Sequence, residues 1–134
     1  MDIAQARSFI QENHRAVLAT RRPDESLHLS LVTCGVDGEG RVIISSTEDR
    51  VKVKNLRRDP RASLCVMRNQ FFGGGVQVHG GAAIVSLPEA MEPLIDYFRR
   101  VAGKEHEDWD EYRRAMEQER RVLIRIDIER AQPA

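Results

Sequence analysis

The sequence predicts an α+β fold built around an antiparallel sheet or small barrel. Three observations carry that expectation. About six short runs show strand-like alternation or β-branched character, and three or four segments show helical spacing. The strands cluster, without the regular βαβ alternation of a parallel sheet. No GxGxxG occurs anywhere, which removes the signature of a dinucleotide-binding Rossmann unit.

The elements follow in order. Asp2 to about Asn13 reads as a helix, with Ile3, Ala6, Phe9 and Ile10 on one face and Asp2 as N-cap. Ala16 to Thr20 is a short β run closed by Arg22-Pro23-Asp24. Leu27 to Cys34 alternates, with Leu27, Leu29, Leu31 and Thr33 on one side and His28, Ser30, Val32 and Cys34 on the other. Asp37-Gly38-Glu39-Gly40 is a turn signal, and Val42 to Ser46 completes a hairpin. Thr47 to Asp59 holds a short helix that Pro60 terminates. Ala62 to Met67 is a strand, and Arg68 to Gly75 is a loop. Val76 to Val85 is a strand in which Gly80-Gly81 signals a bulge or a close backbone approach. Ser86-Leu87-Pro88-Glu89 has capping-box spacing and opens a helix that Gly103 stops after Ala102. Asp108 to Gln118 is an acidic helix, and Arg121 to Ile128 is the last strand.

The 134 residues make one domain, 1–134, long enough to bury a core without staples. Lys+Arg and Asp+Glu are both 21, a balance that argues against wholesale binding to nucleic acid or to anionic membrane. No apolar run approaches the ~18 residues of a membrane span. The N-terminus lacks a secretory pattern, and the two cysteines, Cys34 and Cys65, lack ligand spacing. Together these point to a cytoplasmic protein with no metal centre.

Charge is unevenly placed. Residues 50–61 carry Arg50, Lys52, Lys54, Arg57, Arg58 and Arg61 against Asp59, a net +5 in twelve residues; residues 104–119 carry −4. One reading of such a run is a solvated helix face. The sharper reading is a phosphate-type anion site, with Ser45, Ser46 and Thr47 supplying hydroxyls and backbone N–H groups at the helix start. Aromatic residues are only 5%, which leaves few stacking platforms for single-stranded nucleic acid. His14, His28, His79 and His106 show no metal-pair spacing, no serine sits in GxSxG, and no catalytic group stands out. His28 and His79 read as half-exposed strand polars. A site of this kind either only binds or lets a cofactor carry the reaction.

The runs HRAVLAT, VIISSTEDR, VKVKNLRRDPRASLCV, VQVHGGAAIV and RRVLIRIDIER resemble the flavin/deazaflavin oxidoreductase family of split β-barrels, relatives of pyridoxamine 5′-phosphate oxidase. The resemblance covers residues 9 to 130. KNLRRDPR with its upstream hydroxyl strand is the most specific part, and AGKEHEDWDEYRRAMEQERRVLIRI is similar to mycobacterial members that use coenzyme F420. The resemblance implies a six-stranded antiparallel split β-barrel with peripheral helices, forming a homodimer with cofactor at the subunit interface. It implies Lys52 as the central phosphate ligand, with Arg50, Asn55 and Arg57 nearby. Ser45, Ser46 and Thr47 would line the ring and ribityl chain, and Ser30 and Val32 would lie near the ring. Phe71 or Phe72 falls where such proteins often carry an aromatic from the partner subunit.

The resulting expectation is an F420-dependent reductase that gives a hydride to an unsaturated conjugated small molecule. FMN is the alternative cofactor, and a non-catalytic F420-binding protein is the alternative class. Six cations in twelve residues exceed what one FMN phosphate needs, and Arg57, Arg58 and Arg61 would extend toward the polyanionic tail of F420. An alternative use for those arginines is pairing with the acidic helix 104–119. The chain carries no obvious counterpart of the substrate-binding C-terminal segment of pyridoxamine phosphate oxidase, which argues against vitamin B6 oxidation.

Overall fold

A computed structural model describes residues 1–68, 70 and 73–134. Among them, six strands close into an antiparallel barrel and four helices surround it. The elements are α1 (Ile3–Glu12), β1 (Arg15–Arg21), β2 (Leu27–Val36), β3 (Val42–Thr47), α2 (Val51–Arg58), β4 (Arg61–Met67), β5 (Val76–Ser86), α3 (Met91–Ala102), α4 (Trp109–Gln118) and β6 (Arg121–Pro133). Around the barrel the order is β1-β2-β3-β6-β5-β4.

Strand alternation explains the interior. Ala16 and Leu18 of β1, Val42 and Ile44 of β3, Leu64 and Val66 of β4, and Val122, Ile124 and Ile126 of β6 are buried in one apolar cluster. Helix α1, with an Asp2–Gln5 capping box, adds Ala6 and Ile10. Helix α2 adds Val53 and Leu56.

The outer wall is treated asymmetrically. Ile43 of β3 and Leu123 of β6 point outward, yet are buried beneath Leu94 and Ile95 of α3 and Tyr112 and Met116 of α4. Edge contacts among Phe98, His106, Trp109 and Tyr112 tie α3 to α4. The outer face of the first half of β2 is left open, with Leu27, Leu29 and Leu31 51%, 63% and 83% exposed, whereas α3 reaches its second half through Tyr97 and Arg100.

Two expected helix starts move. The helix expected from Thr47 begins at Val51, because Thr47 bonds Asp49 and Arg50 N–H turns back to Thr47 O. The capping box expected at Ser86 does not form. Ser86 ends β5, a turn follows, and α3 starts at Met91 with Ala90 as N-cap. The last strand runs five residues past Ile128, since Ala131, Gln132 and Pro133 pair with Val78, Gln77 and Val76. The paired glycines sit where the β5–β6 register shifts, and a Cβ on Gly80 would lie 1.8 Å from Asp127 O. Gly103 caps α3 at φ +69, a left-handed conformation that favours glycine.

Candidate functional site: the split between β2 and β3

The barrel opens on one side. β2 pairs with β3 only at Cys34↔Ile44, Gly35↔Ile43 and Val36↔Val42, so Leu27 to Thr33 are paired on one edge alone. The hydrogen-bond parity can be followed along that strand. Cys34 N–H donates to His14 O at 2.8 Å, and beyond the other end Arg22 N–H donates to Ser26 O at 2.8 Å. Successive residues send their backbone groups to opposite edges. The even-numbered residues therefore bond β1, and Leu29, Leu31 and Thr33 direct their N–H and C=O groups into the split.

A groove of about 350 Å³ occupies this opening, lined by Leu31, Thr33, Ser45, Lys52, Tyr97 and Arg121 among others. Lys52 comes from the first turn of α2, Ser45 from the outward row of β3, and Arg121 from the start of β6. Burial, then the charges of Arg50 and Arg121, hold the Lys52 pKa below the usual lysine value of 10.5. Three cations meet here: Lys52 and Arg50 have no carboxylate within ion-pair distance among the described residues, whereas Arg121 pairs with Glu119 at 2.9 Å. Such a cluster favours an anion. By contrast, a cleft of about 280 Å³ on the other side of α3 sets four carboxylates, Asp37, Glu39, Glu92 and Asp96, against two arginines, Arg41 and Arg125, and so lacks the groove's excess of positive charge.

The structure sorts the residues picked from the sequence. Lys52, Ser45 and Val32 line the groove, with Arg50 beside it. Ser30 points inward from β2, and its Oγ is buried with no hydrogen-bond partner among the described residues. Thr47 points outward, its hydroxyl donating to Asp49. Ser46 faces the barrel interior and is 3% exposed. Asn55 is likewise buried; its amide donates to Thr20 Oγ1 at 3.1 Å and its carbonyl accepts from Arg58. Arg57 pairs with Glu48 and Ser86. Arg58 donates to Arg21 O, and Arg61 pairs with Asp59 and Glu25. The three arginines that could have served a polyanionic tail are thus held by the protein's own oxygens, though not by α4. Phe71 and Phe72 lie outside the described residues.

Sequence reasoning missed Tyr97 and Arg121 as groove residues. Arg121 stood out only as the start of a strand, and Tyr97 only as part of a helix. His28 and His79 behave differently from each other. His28 Nδ1 is buried and unpartnered beside Ser30, whereas His79 Nδ1 meets Ser63 Oγ at 2.7 Å on the outer face. Burial and Arg130 lower the His79 pKa below 6.5.

The fit to a flat, phosphate-bearing cofactor rests on these features. The free strand edge offers hydrogen bonds to a ring with polar edges, and the Ser30 hydroxyl, unpartnered among the described residues, lies on the inward face of the same strand. Lys52, Arg50 and Arg121 offer charge to a phosphate.

Comparison with known proteins agrees with this geometry. A family model described as pyridoxamine 5′-phosphate oxidase matches residues 3–133. Among solved structures, a conserved hypothetical protein from Mycobacterium tuberculosis is similar at 27% identity, with a TM-score of 0.79 over 99% of this chain and 84% of that one. A structure described as an F420 reductase is similar at 22% identity and a TM-score of 0.68, covering 93% of this chain and 94% of that one. A heme binding protein from Mycobacterium smegmatis is similar at 18% identity and a TM-score of 0.76, covering 98% of this chain and 53% of that one. At those identities the latter two speak for the fold alone.

Proposed function

Because the chain belongs to the pyridoxamine 5′-phosphate oxidase family, we propose that its β2–β3 split binds coenzyme F420 and that the protein is an F420-dependent reductase. The observation that carries this reading is the meeting, at one split, of a free strand edge and the Lys52 cation cluster, with the Ser30 hydroxyl, unpartnered among the described residues, on the inward face of the same strand. A structure described as an F420 reductase shares this fold, so the fold is compatible with that cofactor.

The chain's own residues have limited tasks. Lys52, with Arg50 and Arg121, holds the phosphate. Ser30 Oγ and the backbone groups of Leu29 and Leu31 orient the ring. Tyr97, Phe98 and Met116 form the apolar wall that keeps water from the groove. When bound, the reduced deazaflavin supplies a hydride to an unsaturated conjugated small molecule. The protein's contribution is position and exclusion of water.

The working unit is a homodimer with the cofactor between subunits. Leu27, Leu29 and Leu31 form an exposed apolar row continuous with Val17 and Ala19 of β1, which are opposite Leu31 and Leu29 in register. A second copy covering this row places its own surface against the groove edge.

FMN is the second reading, and one observation favours it. With Arg57, Arg58 and Arg61 held by Glu48, Arg21 O, Asp59 and Glu25, and Arg121 by Glu119, the cations left at the groove, Lys52 and Arg50, are about the number a single phosphate needs. Side-by-side titration of F420 and FMN at two salt concentrations decides between them. Tighter and more salt-sensitive F420 binding supports the proposal. Tighter FMN binding replaces it with the second reading, and binding of neither refutes both.

A further inference from the structure

We propose that Asn55 is a positioning residue of the groove: its buried amide ties α2 to Thr20 of β1 and so sets where Lys52 stands, acting on a bound phosphate only through that lysine. This inference rests on the reading of the groove as a phosphate-bearing cofactor's site.

The inward residues of α2 divide by the kind of contact they make. Val53 and Leu56 enter the apolar core. Apolar burial holds a helix down but is non-directional, so it leaves the helix some freedom to turn and slide. Asn55, 3% exposed, supplies the direction. Its Nδ2 donates at 3.1 Å to Oγ1 of Thr20, itself fully buried. Its Oδ1 accepts from Arg58 Nη2 at 3.1 Å, and the same Nη2 donates to Arg21 O at 2.6 Å. Two successive residues of β1 thus hold the second half of α2. Lys52 and Asn55 stand three residues apart, a spacing that makes them neighbours on a helix surface. Fixing the direction of Asn55 therefore fixes that of Lys52 one turn earlier.

Lys52 needs such a restraint. The charges of Arg50 and Arg121 repel it, and the other ionisable groups lining the groove are the phenols of Tyr97 and Tyr112. Among the described residues no carboxylate pairs with Lys52 to offset that repulsion. Without a ligand, the repulsion pushes the first turn of α2 away from the groove. That turn also lacks a side-chain cap among the described residues, so its own end braces it poorly. The opposing restraint comes from the next turn, where Asn55 and Arg58 grip β1. Thr20 and Arg21 belong to a strand paired on both edges, with β2 and β4, so the anchor is part of the barrel wall and does not depend on a bound ligand.

The test uses the full chain as wild type, Asn55→Ala, Thr20→Val and Thr20→Ser. Lysines occur only at Lys52, Lys54 and Lys104, so NMR of isotope-labelled lysine side chains gives three titrations, and Lys52→Met identifies the one that matters. In ligand-free wild type, Lys52 should titrate below 10.5. In Asn55→Ala and in Thr20→Val it should move up toward 10.5 as the lysine leaves its half-buried place, while the other two signals titrate as in wild type. Affinities for inorganic phosphate and for FMN should fall together, each by ~3- to 10-fold, the scale of one net hydrogen bond. The double variant should lose no more than either single variant, because both changes break the same bond. Thr20→Ser keeps the hydroxyl and should match wild type in both readouts. An unmoved Lys52 titration in folded Asn55→Ala or Thr20→Val would overturn the proposal. So would a loss confined to FMN with phosphate binding intact, which would put Asn55 on the cofactor itself. Failure of both variants to fold would make the pair a folding element only and would equally overturn it. If wild type binds neither F420 nor FMN, the functional reading fails, and the lysine titration still decides whether Asn55 places Lys52.

Discussion

Replacing Lys52 by methionine removes one positive charge while keeping the unbranched stem that lies against the groove. A charge-assisted hydrogen bond contributes ~1.5–3 kcal/mol, and ~1.4 kcal/mol corresponds to a factor of ten. The dissociation constant for F420 or FMN should therefore rise roughly 10- to 100-fold. Folding should not suffer. Lys52 has no carboxylate partner among the described residues, and its charged form is disfavoured by burial and by Arg50 and Arg121. Removing the charge relieves that repulsion, so the melting temperature of the ligand-free protein stays level or rises slightly. The pH dependence has a definite sign. A lysine with a lowered pKa loses its proton earlier than usual as pH rises, and with it the attraction for phosphate. Wild-type affinity should be flat near neutrality and fall in the alkaline range, starting below 10.5. Lys52→Met should lack that limb. Fluorescence titration of both proteins across pH tests all three points. An affinity within twofold of wild type, or an alkaline limb that persists in the variant, would refute the assignment of Lys52 to the phosphate.

Three further outcomes are expected. Light scattering should show a dimer at micromolar concentration, and Leu31→Asp, which puts a charge on the most exposed leucine of the β2 row, should yield a monomer that retains its secondary structure; a monomeric wild type would remove the interface. Gly80→Ala should destabilise the fold by about 3 kcal/mol or more in urea unfolding, because its Cβ would collide with backbone at Asp127, whereas Gly81→Ala should be nearly neutral, with only the Glu129 carboxylate near at 3.6 Å. Raising salt from low to physiological should weaken F420 binding more than FMN binding if the tail engages the exposed cations Arg50 and Lys54, and equally if it does not.

Local chemistry determined much of this protein directly from the sequence. Alternating runs and short β-branched apolar runs located the six strands, because a strand with one buried face alternates and one covered on both faces is apolar throughout. Asp2, Pro60 and Gly103 marked helix boundaries through capping, steric exclusion and left-handed backbone, effects that act within a few residues. Gly80 was readable as a bulge for the same reason. The cation-rich segment was also visible, since charge is counted without knowing the fold.

What those charges touch was decided only by tertiary structure. Arg57, Arg58 and Arg61 look like the same surplus as Arg50 and Lys52 along the chain, yet α2 turns them toward Glu48, Arg21 and Asp59 and turns Asn55 into the core. Ser45 and Ser46 are neighbours in sequence but lie on opposite faces of β3, so of the expected Ser45, Ser46 and Thr47 only Ser45 lines the groove. Arg121 and Tyr97 entered the site from segments about 70 and 45 residues away from Lys52, brought there by β6 pairing with β3 and by α3 packing on their outer face. The split itself is a matter of where pairing stops. β2 alternates along its length, and its ladder with β3 ends at Cys34↔Ile44, a boundary that periodicity in one strand cannot reveal.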